Sequence, residues 1–249
     1  MDFDYKKPMH ILALLLIIGS IFVILVLPVL SFFNFFPSTQ SVEYQQLAED
    51  LNLMLQISVL FFQLIFAFVF FMLIPALWYI FVNSCSIRKV FQKLRLTIEN
   101  IDIAFLYGLL AAIGIYAISF VFVIVLQSTG YEVEDLSNIP DLTRMFSPPI
   151  LIFLVAIMPV AEEVFFRGFL LEKIESFAGS SVAIIVTSFL FGIAHASYGK
   201  IFPIILPILM GILLAYIVIK TRNLYASIIA HVIYNVVAMV LYYLGMSLQ

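Results

Sequence analysis

Cysteine is almost missing from this 249-residue sequence. The single Cys85 cannot close an internal disulfide, and it excludes a zinc site built on cysteines. Charge is scarce too: only 11% of residues are Asp, Glu, Lys or Arg, and the net charge of -3 offers no basic surface for nucleic acid. No internal repeat, low-complexity tract or dividing linker interrupts the chain. What fills the space left by these absences is hydrocarbon. The chain is 64% hydrophobic with 26 Phe, and its mean hydropathy is +1.17, whereas a soluble domain is nearer ~45–50% apolar. It reads as an all-α, polytopic transmembrane bundle of about seven to eight spans, so the lipid bilayer is its first partner.

A helical crossing takes about 20 residues. Apolar runs suited to one lie at 8–33, 53–82, 104–126, 148–177, 201–219 and 226–246, with a shorter one at 182–196 after the small-residue turn Ala178-Gly179-Ser180-Ser181. The first run follows Lys6 and Lys7 but continues without a small-residue cleavage site, so it is expected to be a retained span and not a signal peptide. Arg88, Lys89, Lys93 and Arg95 follow the second span, and Lys220 and Arg222 follow the sixth. By contrast, 34–52 holds Glu43, Glu49 and Asp50 with no Lys or Arg, and the loop after the third span sets Glu132, Glu134, Asp135 and Asp141 against Arg144 alone. Basic residues beside span ends mark the cytoplasmic side, which places the N-terminus in the cytoplasm.

Against this background Ala161-Glu162-Glu163-Val164-Phe165-Phe166-Arg167-Gly168 stands out, since each charge near a bilayer midplane opposes insertion by roughly 2.5–3.5 kcal/mol. Glu163 and Arg167 are four residues apart and can pair on one helix face, while Glu162 points about 100° away. Two of the three histidines also lie in spans: His195, four after Phe191, and His231, four before Asn235 and on the same face. Glu162 is 15 residues before Phe177 and His195 is 15 after Ser180, so a helical hairpin would set both at one depth. Taken singly, an intramembrane His is as readily a packing residue bonded across helices, and Glu163 with Arg167 reads as a structural pair. His10 reads as interfacial. Glu162, His195, His231 and Asn235 converging without a function would be a costly arrangement.

The stretch Glu162-Glu163-x-x-x-Arg167, then Phe191-x-x-x-His195, then His231-x-x-x-Asn235 resembles the CAAX protease and bacteriocin-processing (CPBP, or Abi) family of intramembrane proteases. Phe-Arg-Gly-Phe-Leu at 166–170 and the Lys-Thr-Arg-Asn-Leu linker before the last span belong to the same likeness, which covers about 148–246. The chain divides accordingly into N-terminal helices without motif, 1–147, and a catalytic helical core, 148–249. The resemblance implies an endopeptidase cutting prenylated CAAX C-termini or other membrane-associated peptides. In it Glu162 and His195 would activate water, and His231 and Asn235 would steady the oxyanion. Glu163, Arg167 and Phe191 would support them, and members with prenyl substrates would be expected to carry an eighth helix. No cofactor is required by that chemistry. A zinc version would bind the metal through Glu162, His195 and His231, although no His-Glu-x-x-His pair puts two ligands on one helix. Two other readings stand beside it. One is a non-proteolytic scaffold or bacteriocin immunity protein of the same fold. The other is a proton-coupled transporter, disfavoured by the lack of repeat symmetry.

Overall fold

The computed structural model describes residues 3–33, 35, 53–130, 143, 146–198 and 202–247. These form eight helices: α1 Pro8–Phe32, α2 Leu53–Phe81, α3 Ile87–Lys93, α4 Ile101–Ser128, α5 Pro148–Ala178, α6 Ser180–Ala194, α7 Phe202–Thr221 and α8 Tyr225–Ser247. Six of them, α1, α2, α4, α5, α7 and α8, are long and apolar enough to cross a membrane, and α6 is a shorter apolar helix. Helices are the form such sequences must take in lipid, because each pairs its own backbone N–H and C=O groups where no water can. The acidic residues Glu43, Glu49, Asp50, Glu132, Glu134, Asp135 and Asp141, and Arg144, on which the outward assignment of two loops rests, lie outside the described residues.

Three helices widen locally into π geometry: α1 over Phe22–Val26, α2 over Phe68–Leu73 and α5 over Val164–Leu170. In α1 and α2 the wide turn ends just before Pro28 and Pro75. Proline lacks the N–H that would continue the regular ladder, so the preceding residues shift to i→i−5 bonds, as from Leu27 to Phe22 and from Ile74 to Val69. No proline follows the segment in α5. It sits in the middle of the bundle, with all seven residues Val164–Leu170 buried.

Packing puts α8 against α4 and α5, and α7 against α6 and α4, while α1 lies along the C-terminal half of α2. The main core gathers Phe71, Trp78, Phe165, Phe166, Phe169 and Phe191, drawn from α2, α5 and α6. A second joins α4, α7 and α8 through Ala104, Ala111, Ile115, Leu214, Ala226 and Ala230. α5 turns into α6 at Gly179, whose φ of +84° is a conformation that side chains with a Cβ rarely adopt.

One end of the bundle is tied together by polar side chains. The carboxylate of Glu175, near the end of α5, accepts hydrogen bonds from Arg95, from Arg222 at 2.9 Å and from Ser180 at 2.9 Å. Asn223 is fully buried; its amide nitrogen donates to the carbonyls of Thr97 at 2.9 Å and Glu99 at 3.1 Å, and its oxygen accepts the N–H of Tyr225 at 3.0 Å. Phe3 stacks on Trp78 with ring centroids 6.2 Å apart. The N-terminal segment, the α2–α4 connection and the α7–α8 turn therefore share a face.

Candidate active site

α5, α6 and α8 bring the charged and aromatic residues singled out in the sequence to one place inside the bundle. Glu163 is the hub. It ends the regular first part of α5, it is 0% exposed, and its Oε1 accepts a hydrogen bond from Arg167 Nη1 at 2.7 Å. The same oxygen lies 2.9 Å from Nδ1 of His231 on α8. A carboxylate paired with a guanidinium can only accept, so Nδ1 carries the hydrogen and the imidazole plane is fixed. The other nitrogen, Nε2, is 3.9 Å from Oε2 of Glu162. Glu162 keeps 20% of its side-chain surface exposed, so of two adjacent carboxylates one is sealed in the core and one stays partly exposed.

Phe191, on α6, is the surface on which the cluster is assembled. The Arg167 guanidinium lies 4.1 Å from its ring centroid, a cation–π contact that a desolvated charge makes strong. His231 meets the ring edge-to-face at 5.7 Å and His195 at 4.7 Å. His195 itself caps the end of α6, with Nδ1 2.8 Å from the carbonyl oxygen of Phe191 one turn back. That carbonyl accepts, so Nδ1 is the donor and Nε2 the basic nitrogen.

Room for so much side chain comes from glycines on the neighbouring helices. At Gly211 on α7 a Cβ would stand 3.2 Å from Arg167 Nη2 and 3.0 Å from the Cα of Ser188. At Gly192 on α6 it would stand 2.6 Å from the carbonyl oxygen of Ile204, closer than any real Cβ contact. Small residues that let backbones approach are the usual means of packing helices in lipid.

The structure thus unites Glu162, Glu163, Arg167, Phe191, His195 and His231. Asn235 lies one turn beyond His231 on α8, half-buried, and its side chain makes no hydrogen bond to the other described residues of the cluster. Beside it, the Tyr116 hydroxyl of α4 donates to the carbonyl oxygen of Tyr234 at 2.7 Å, and Ser119 donates to the Tyr234 hydroxyl at 3.2 Å, holding this part of α8 against α4. Sequence reasoning paired Glu163 with Arg167 but did not connect Glu163 to His231, which is 68 residues away. It did not anticipate the role of Gly211 either, for which a glycine inside an apolar span was the available sign.

Among the described residues no three His, Cys, Asp or Glu side chains are gathered so as to hold one ion. The contact of His231 Nδ1 with Glu163 leaves Nε2 as the ring nitrogen turned toward Glu162.

Residues 144–237 match the protein family described as Type II CAAX prenyl endopeptidase Rce1-like. Neither the curated proteins nor the solved structures yield a match to the chain. Every side chain of the cluster falls inside the matched segment, so the part of the chain that is similar to the Type II CAAX prenyl endopeptidase Rce1-like family is the part that holds the candidate site.

Proposed function

We propose that the chain is an intramembrane endopeptidase acting on prenylated CAAX-type or other membrane-associated peptides, with its N-terminus in the cytoplasm. The observation that carries this reading is the asymmetry of the two carboxylates around His231: Glu163 buried against Nδ1, Glu162 open toward Nε2. Peptide hydrolysis needs a base for water, donors for the developing oxyanion and a proton for the leaving amine. Glu162, the accessible carboxylate, takes the proton from water with His195 as its partner. The hydroxide oxygen then bonds to the scissile carbonyl carbon. His231, in its imidazolium form with Nδ1–H held by Glu163, donates from Nε2 to the oxyanion, and Asn235 adds its amide N–H. When the C–N bond breaks, Glu162 returns the proton to the departing nitrogen, leaving an amine and a carboxylic acid that then ionises. Arg167 and Phe191 keep Glu163 and His231 in place and touch no reacting atom. No cofactor enters these steps.

The test is to incubate purified protein in detergent with a farnesylated CAAX peptide and a panel of unmodified peptides, with and without a chelator, and to read products by mass spectrometry. Cleavage of at least one peptide, undiminished by the chelator, is expected. Intact peptides throughout would favour a scaffold or immunity protein of the same fold, and cleavage abolished by chelation would return Glu162, His195 and His231 to the role of metal ligands.

A further inference from the structure

The end of the bundle tied together by Glu175 and Asn223 carries a short helix whose chemistry the site does not use. Along α3, Val90 and Leu94 are each 4% exposed and belong to the main core. Ile87 and Phe91 lie next to them around the helix, within about 60–100° at the helical repeat, yet they are 70% and 51% exposed. The apolar side of α3 is therefore twice as wide as the protein covers. Ile98, 82% exposed, and Phe177, 83% exposed, stand on the same end of the molecule, beside Thr97 and Glu175. Around the rest of α3, Arg88 and Lys89 are exposed and in no ion pair among the described residues, and Lys220 at the end of α7 is likewise exposed.

An exposed apolar flank on a bundle of membrane-crossing helices, bordered by cations that make no ion pair among the described residues, fits one partner: the interface of a leaflet rich in anionic phospholipid. We propose that α3 is an interfacial arm that lays Ile87 and Phe91 at the headgroup–acyl boundary and binds anionic lipid headgroups through Arg88 and Lys89. Lys93 is differently engaged, since its Nζ faces Glu172 at 3.7 Å, so the lipid-binding charge is concentrated on the first turn. This surface is separate from the catalytic reading and stands whether or not the chain cleaves peptides.

With Cys85→Ser as background, an environment-sensitive fluorophore is attached at Phe91→Cys or Lys89→Cys, and each protein is reconstituted in phosphatidylcholine vesicles with and without phosphatidylglycerol. The label at 91 should be quenched by lipids brominated near the headgroup and shielded from aqueous iodide, and the label at 89 should behave in the opposite way. Native mass spectrometry of the unlabelled protein should show phosphatidylglycerol retained over phosphatidylcholine, a preference that falls about fivefold per charge removed in Arg88→Gln and Lys89→Gln. A label at 91 open to iodide, or equal retention of the two lipids by the wild-type protein, would overturn the proposal.

Discussion

Glu162 and Glu163 differ in surroundings, not in chemistry, and that difference sets what each substitution should do. Glu162→Gln keeps the shape and removes only the ability to take a proton. Folding should be unchanged, with turnover of a cleaved peptide lowered by at least ~10²-fold, the lower range for loss of a general base. His195→Ala should fall comparably, and the double variant should be little worse than either, as expected of groups acting as one unit. Near wild-type turnover in Glu162→Gln would remove Glu162 from the reaction. Glu163→Gln and Arg167→Ala break a pair that is 0% exposed on both sides, and stranding one buried charge costs about 3–5 kcal/mol. Both should lower the thermal midpoint in detergent. Wild-type midpoints in both would contradict the structural assignment. At this scale the sequence showed the Glu163–Arg167 pair, because a spacing of four is a statement about a helix face. The contact of Glu163 with His231 was invisible, because it depends on how α5 and α8 cross.

Among the helices, boundaries were legible to within a few residues, since the bilayer itself measures out apolar runs. The π turns were not. In spans apolar on every side there is no stripe of period 3.6 whose shift would betray a widened turn. Close approaches were equally hidden, as any Gly in a span looks alike until its neighbours are known. Gly192 and Gly19 make the contrast measurable: a Cβ at Gly192 meets the backbone of α7 at 2.6 Å, and at Gly19 it meets nothing within 4 Å. Gly192→Ala must push α6 from α7 and should cost about 1–3 kcal/mol, as overpacking does. Gly19→Ala should be neutral or slightly stabilising. Thermal unfolding of the two variants side by side checks this, and equal midpoints would mean that α6 and α7 are not in contact there.

For the whole molecule, the shared face of the N-terminal segment, the α2–α4 connection and the α7–α8 turn joins the positive-charge bias to a physical surface. Reporter fusions after Arg95 should be cytoplasmic and those after Asn52 on the opposite side; signals from one side would refute the orientation. Charge bias could suggest that side from sequence, but not that Arg95 and Arg222 would meet on one carboxylate. The hub at Glu163 also constrains biogenesis. α5 leaves the ribosome before α8, so while it is being released into lipid Glu163 has Arg167 but not yet His231, which is 68 residues behind. Until α8 arrives, the Glu163–Arg167 pair lacks its third partner, so the final setting of Glu163 depends on a helix synthesised later. The three-way contact of Glu163, Arg167 and His231 therefore forms only after α8 has entered the membrane.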